Sequence, residues 1–157
     1  MVRIEASSTF PVERDAAFDY ITDPTNWPQF WPDLVDIPDL GRAKWEQPGD
    51  TMRLRMRLAG RLTDVHMTLD QLERPEVVRY HSAQKGLPDA THERYFESAP
   101  EGFTYRLVVA FAPRAGPAGL FDRTLLRYAA TRALRRTIDN LAQQLPRPGA
   151  AERRQPR

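Results

Sequence analysis

A chain of 157 residues, 41% hydrophobic and 28% charged, suits one globular domain able to bury a real core. It has no run of about 18 apolar residues and no basic-then-apolar start, so neither a membrane span nor a signal peptide is expected, and the cytoplasm is the expected compartment. It has no cysteine, which excludes disulfides and thiolate sites, and its net charge of +2 comes from the tail, where Arg147, Arg153, Arg154 and Arg157 outnumber Glu152; the nearly neutral body argues against a nucleic-acid partner.

Val2, Ile4 and Ala6 alternate with Arg3, Glu5 and Ser7, the period of a half-buried strand, and Pro11 stops the ladder after Phe10. Ala16, Ala17, Tyr20 and Ile21 then recur at helical spacing until Asp23-Pro24, since a residue before proline avoids the helical region. The stretch 23–32 holds three prolines with Trp27, Phe30 and Trp31, and reads either as a plug on one end of the core or as a ligand wall. Met52, Leu54, Met56 and Leu58 alternate with arginines; after Ala59-Gly60 the alternation resumes through Thr63, Val65, Met67 and Leu69. A two-residue turn would set Leu54 opposite Val65 and Met52 opposite Met67, with Arg55 facing Asp64 and Arg53 facing His66 on the wet side.

Val78, Tyr80 and Ser82 mark a fifth strand, and His92 to Glu97 a sixth whose facing stays open because both of its sides are mixed. Phe103, Tyr105, Leu107, Val109 and Phe111 mark a last strand with one strongly apolar face. From Pro117 to Leu145 the spacing is helical, a length of about 40 Å. Ala130, Leu134, Ile138, Leu141 and Leu145 share its later face, while Phe121, Leu125 and Tyr128 form an earlier stripe pointing nearly opposite. One straight helix cannot bury both stripes in one core. Arg123 and Arg127 stand where the later core face would continue, so something polar should meet them.

The first strand ending in Phe10-Pro11-Val12, the short helix with Ala17-Phe18, and Asp23-Pro24 followed by Trp27 and Trp31 resemble the opening of the START-like (SRPBCC) superfamily, which takes in polyketide cyclase/dehydrase-type and lipid-transport proteins. The resemblance implies an α+β helix-grip fold: a bent antiparallel seven-stranded sheet wrapped around a long C-terminal helix, with two short helices after the first strand. Residues 1–145 would form that domain, and the Pro/Arg-rich stretch 146–157 a disordered tail.

Such a sheet encloses a cavity, and the residues expected to line it are Trp31, Met52, Leu54, Met56, Met67, Tyr80, Tyr105 and Leu107, with Arg127 anchoring an acidic or carbonyl group. No phosphate loop, dinucleotide fingerprint, nucleophile elbow or zinc spacing occurs, so no cofactor or metal is expected. His66 and His81 read as surface residues. The expected function is binding of an apolar lipid-like or polyketide-like molecule; the alternative is a polyketide cyclase or aromatase using cavity tyrosine and arginine. Phe121, Leu125 and Tyr128 would pack against a loop or a second subunit of a homodimer.

Overall fold

The computed structural model describes residues 1–145, so the expected disorder of 146–157 and the boundary drawn there lie outside the described residues. Seven strands pair in one antiparallel sheet: β1 (Val2–Phe10), β2 (Leu34–Asp36), β3 (Thr51–Leu58), β4 (Arg61–Glu73), β5 (Val77–Gln84), β6 (Ala90–Ala99) and β7 (Gly102–Phe111). Their order is β1-β7-β6-β5-β4-β3-β2, so the first strand crosses to pair with the last while the rest form a meander. In the β3–β4 hairpin Met52 faces Met67, Leu54 faces Val65, Arg55 faces Asp64 and Arg53 faces His66, the register expected from alternation and turn length.

Two short helices, α1 (Arg14–Thr22) and α2 (Trp27–Phe30), follow β1, joined by a 3₁₀ turn at Pro24–Asn26. The Asp23 side chain accepts from the Thr25 N–H to start that turn, and the indole of Trp27 donates to the Ile21 carbonyl at 2.9 Å. The corner rich in proline and tryptophan is thereby fixed on α1.

The C-terminal helix is not uniform. Pro117–Phe121 is α3, Asp122–Leu126 is a π turn, and Arg127–Gln144 is α4. The π turn, which adds one residue to a helical turn, falls inside the earlier apolar stripe, and that stripe is not buried: Leu125 and Tyr128 stand in solvent while the later face packs on the sheet. Asp122 inside it is fully buried. Its carboxylate accepts from Arg114 Nη2 at 2.6 Å, Arg114 Nε at 3.0 Å and the Arg114 backbone N–H at 2.8 Å, which ties the β7–α3 loop to the helix. Gly119 permits that closeness, because a Cβ there would lie 2.0 Å from the Arg114 carbonyl oxygen. Leu134, Thr137, Ile138, Leu141 and Leu145 then bury the later face against the sheet, and Asn140 Nδ2 donates to the Phe30 carbonyl at 3.0 Å.

Candidate cavity between sheet and helix

Between the concave face of the sheet and the first half of α4 the core is left unfilled, in two adjoining chambers. The inner one, about 70 Å³, is walled by aromatic side chains including Trp27, Phe30, Trp45, Tyr80, Phe96 and Tyr105. The outer one, about 460 Å³, is bounded by the β3–β4 turn, the β5–β6 loop at Leu87-Pro88 and the α4 side from Tyr128 to Arg136. Trp31, Met67, Arg94, Ala133 and Leu134 belong to both walls, so Arg94 is a cation placed where the chambers meet.

The polar groups come from one face of β5 and β6. In the antiparallel register Tyr80 lies opposite His92 and Ser82 opposite Ala90, which turns Tyr80, Ser82, His92 and Arg94 toward the same side. The Tyr80 and His92 rings stack at 4.5 Å with 7° between their planes. Arg94 Nη2 donates to the Tyr80 hydroxyl at 2.9 Å, and its Nη1 donates to the Glu93 carbonyl at 3.2 Å. Ser82 Oγ lies 2.9 Å from His92 Nε2. Buried His92 Nδ1 has no protein partner, and Arg94 makes no ion pair among the described residues.

Burial, reinforced by Arg94 and His81, holds the His92 pKa well below the ordinary imidazole range, so the ring is neutral. Burial likewise raises the Tyr80 and Tyr105 hydroxyls, against the opposing pull of Arg94, so both remain protonated donors. The chamber junction therefore carries a fixed cation, protonated phenols and a neutral imidazole within an apolar wall. That set suits an acceptor group such as a carbonyl, phenolate or carboxylate.

The expected lining residues divide. Trp31 and Met67 border both chambers, Met56 the outer one, and Tyr80 and Tyr105 the inner one. Met52, Leu54 and Leu107 are buried but line neither chamber. The β2–β3 connection covers the start of β3: Asp39 Oδ2 accepts from the Arg53 N–H at 2.9 Å, and Trp45 is driven into the core against Trp27 and Tyr80. Arg127, expected as an anchor, is exposed and lines neither chamber. The first buried position of α4 is Leu134; before it the helix crosses the cavity mouth, where no packed core exists for Arg127 to continue.

Sequence reasoning passed over Trp45, which lies in an irregular connection, and Ser82. It left His92 and Arg94 open, although their alternation with buried Phe96 was the available signal. His66 and His81 are exposed, and His81 Nδ1 lies 2.9 Å from Asp70.

A curled antiparallel sheet gripping a C-terminal helix over an apolar cavity defines the helix-grip class. The model of the family described as polyketide cyclase / dehydrase and lipid transport matches residues 1–146, and the chain belongs to that family. Among solved structures it is similar to the Zhui aromatase/cyclase from Streptomyces sp. R1128, at 17% identity, TM-score 0.76, covering 98% of this chain and 94% of that one. It is also similar to a Thermus thermophilus protein, TTHA0849, at 12% identity, TM-score 0.75, covering 91% and 96%. The Aha1 dimer from Colwellia psychrerythraea is similar at 13% identity, TM-score 0.66, covering 92% and 96%. At these identities the likeness speaks for the fold. No curated protein matches the chain by sequence.

No helix among the described residues is long and apolar enough to cross a membrane.

Proposed function

We propose that this protein binds an apolar, ring-bearing small molecule of lipid-like or polyketide-like chemistry, with an acceptor group held by Arg94 and Tyr80. The observation that carries this reading is Arg94 itself, at the junction of both chambers with a phenol and a backbone carbonyl as hydrogen-bond partners and no carboxylate. A guanidinium in an apolar wall is stabilised by an acceptor that arrives with the ligand. Aromatic walls take a flat head in the inner chamber, while Met56, Met67 and Leu134 flank an aliphatic or fused-ring remainder. The experiment is titration with anilinonaphthalene sulfonate, an aromatic anion, together with native mass spectrometry of the purified protein. Saturable fluorescence enhancement at one site, abolished by Ala133→Trp, is the expected result; no enhancement, or equal enhancement in the filled variant, would overturn the reading.

A second reading is favoured by the Ser82–His92 pair. Burial and Arg94 keep His92 a weak base, so it could take a proton from the carbon beside a bound carbonyl, the first step of cyclising or dehydrating a poly-β-keto chain, only as an enolate forming at Arg94 offsets the charge it gains. Deuterium uptake by a β-diketone would show it. Uptake accelerated by the protein and lost in His92→Phe is expected of a cyclase, whereas a carrier gives none.

A further inference from the structure

The arginines of this chain are unevenly paired. Six on the convex side of the sheet or reaching α1 make ion pairs, Arg3 with Glu5, Arg53 with Asp39, Arg55 with Asp64, Arg74 with Asp15 and Asp19, Arg79 with Glu93, and Arg106 with Glu5 and Glu97, although Arg14 and Arg42 make none among the described residues. Around the cavity mouth Arg114 is held by Asp122, but a larger group of arginines stands unpaired. Arg57 and Arg61 flank the β3–β4 turn, and Arg123, Arg127, Arg132 and Arg136 lie on the π turn and α4; none makes an ion pair among the described residues. Asp33 and Asp89 are the carboxylates on that rim, so it is strongly cationic although the body as a whole is nearly neutral.

The same region holds large apolar side chains standing in solvent. Leu62 at the tip of the β3–β4 hairpin, on the convex face opposite Arg57, is 56% exposed, and Leu120, Leu125 and Tyr128 at the head of the C-terminal helix are 66%, 63% and 67% exposed. Leu125 lies one helical turn before the mouth residues Tyr128 and Ala129 on a shared face.

We propose that this rim docks on the surface of an anionic phospholipid bilayer, with Leu62, Leu120, Leu125 and Tyr128 inserted among the acyl chains and the arginines on the headgroups. Apolar side chains interleaved with arginine are the composition of a membrane-surface element: the apolar tips gain from leaving water and each cation from the negative surface potential. The apolar tips come from two separate elements that border the opening, the tip of the β3–β4 hairpin and the head of the C-terminal helix, which suits a fluid surface that needs no matching shape. A second copy of the chain would set this cationic rim against itself, and that repulsion argues against self-association there. The placement also gives the docking a use, because a molecule leaving the outer chamber at this mouth enters the bilayer without crossing water. The proposal rests on the mouth opening there and not on what fills the cavity.

The test is co-sedimentation of the full chain with vesicles of phosphatidylcholine alone or mixed with phosphatidylglycerol, in low and high salt. Binding to the mixed vesicles, weak on phosphatidylcholine and lost in high salt, is the expected result. Arg123→Gln with Arg127→Gln should weaken it by about 25-fold, at about five-fold for each arginine near the surface. Leu62→Asp with Leu125→Asp should weaken it by at least about ten-fold. None of these four residues lines a chamber, so anilinonaphthalene sulfonate binding and the circular dichroism spectrum should be unchanged in both variants. Failure to bind mixed vesicles would overturn the proposal, as would equal binding by the variants. A dimer by analytical ultracentrifugation that dissociates in the leucine variant would also overturn it, by assigning the face to a second copy. Loss of probe binding in the native chain with vesicle binding intact would count against the cavity reading and leave the docking standing.

Discussion

Arg94 and Arg114 both reach into the body of the protein, and their surroundings differ in kind. Arg114 grips the buried carboxylate of Asp122 through both Nε and Nη2 and donates from Nη1 to the Gly86 carbonyl at 2.6 Å, so loop, helix and the β5–β6 connection are pinned by one side chain. Arg94 has Tyr80 and a backbone carbonyl, beside a histidine with an orphaned nitrogen and an unfilled space. A closed polar cluster supports structure; an open one in an apolar wall is poised for something outside the chain. The difference separates what holds the helix in place from what the helix covers.

The largest effect should come from breaking the closed cluster. Asp122→Ala should lower unfolding free energy by about 3 kcal/mol in urea denaturation, because a fully buried carboxylate and its charge-assisted bonds are lost together. The Arg114 hydrogen bonds hold the Asp122 pKa below the ordinary aspartate value of 3.8. Its stabilisation is therefore fully present above about pH 4 and lost as pH falls through the folded value, an acid limb that the variant should lack.

Filling the open region should act on binding instead. Ala133→Trp places an indole in the wall common to both chambers; probe affinity should collapse, with stability changed by about 1–3 kcal/mol at most. A variant that still binds the probe would detach binding from this cavity.

Much of this was legible before any coordinates. Alternation with a two-residue turn set the β3–β4 register, because a slip of β4 by one residue would put Val65 and Met67 in water. The phase change near Ala130 was a real signal: the later face from Leu134 to Leu145 is buried, whereas Leu125 and Tyr128 of the earlier stripe stay in solvent. The site was harder. Inward-facing residues could be identified, but whether one lines a void or packs solidly depends on what fills the space beside it, as Trp45 from the irregular β2–β3 connection does against Trp27 and Tyr80. Arg127 was assigned to the cavity on phase alone, and phase does not reveal where a helix leaves its core. Arg94 and His92 escaped assignment because Tyr95 is partly buried on the other face of β6, beneath Arg79 and Arg106, and makes that strand look apolar on both sides.

A smaller effect concerns His92. Its depressed pKa means that the unfolded chain binds a proton the folded chain refuses, so its contribution to stability is fully present above about pH 6.5 and declines as pH falls below it. His92→Phe keeps the stacking on Tyr80 and should remove the part of the acid-side decline that sets in below about pH 6.5, measured by urea midpoints across pH. An unchanged decline would place its origin in other groups.

The central claim is that Arg94 is completed by a ligand, and isothermal titration of Arg94→Met with a naphthoate and its neutral methyl ester tests it most directly. The substitution keeps an apolar stem while deleting the charge. The account requires naphthoate affinity to fall by about 1.5–3 kcal/mol while the ester changes little and the variant stays folded. Equal loss for both compounds, or no loss for either, would contradict it and make Arg94 a structural residue like Arg114.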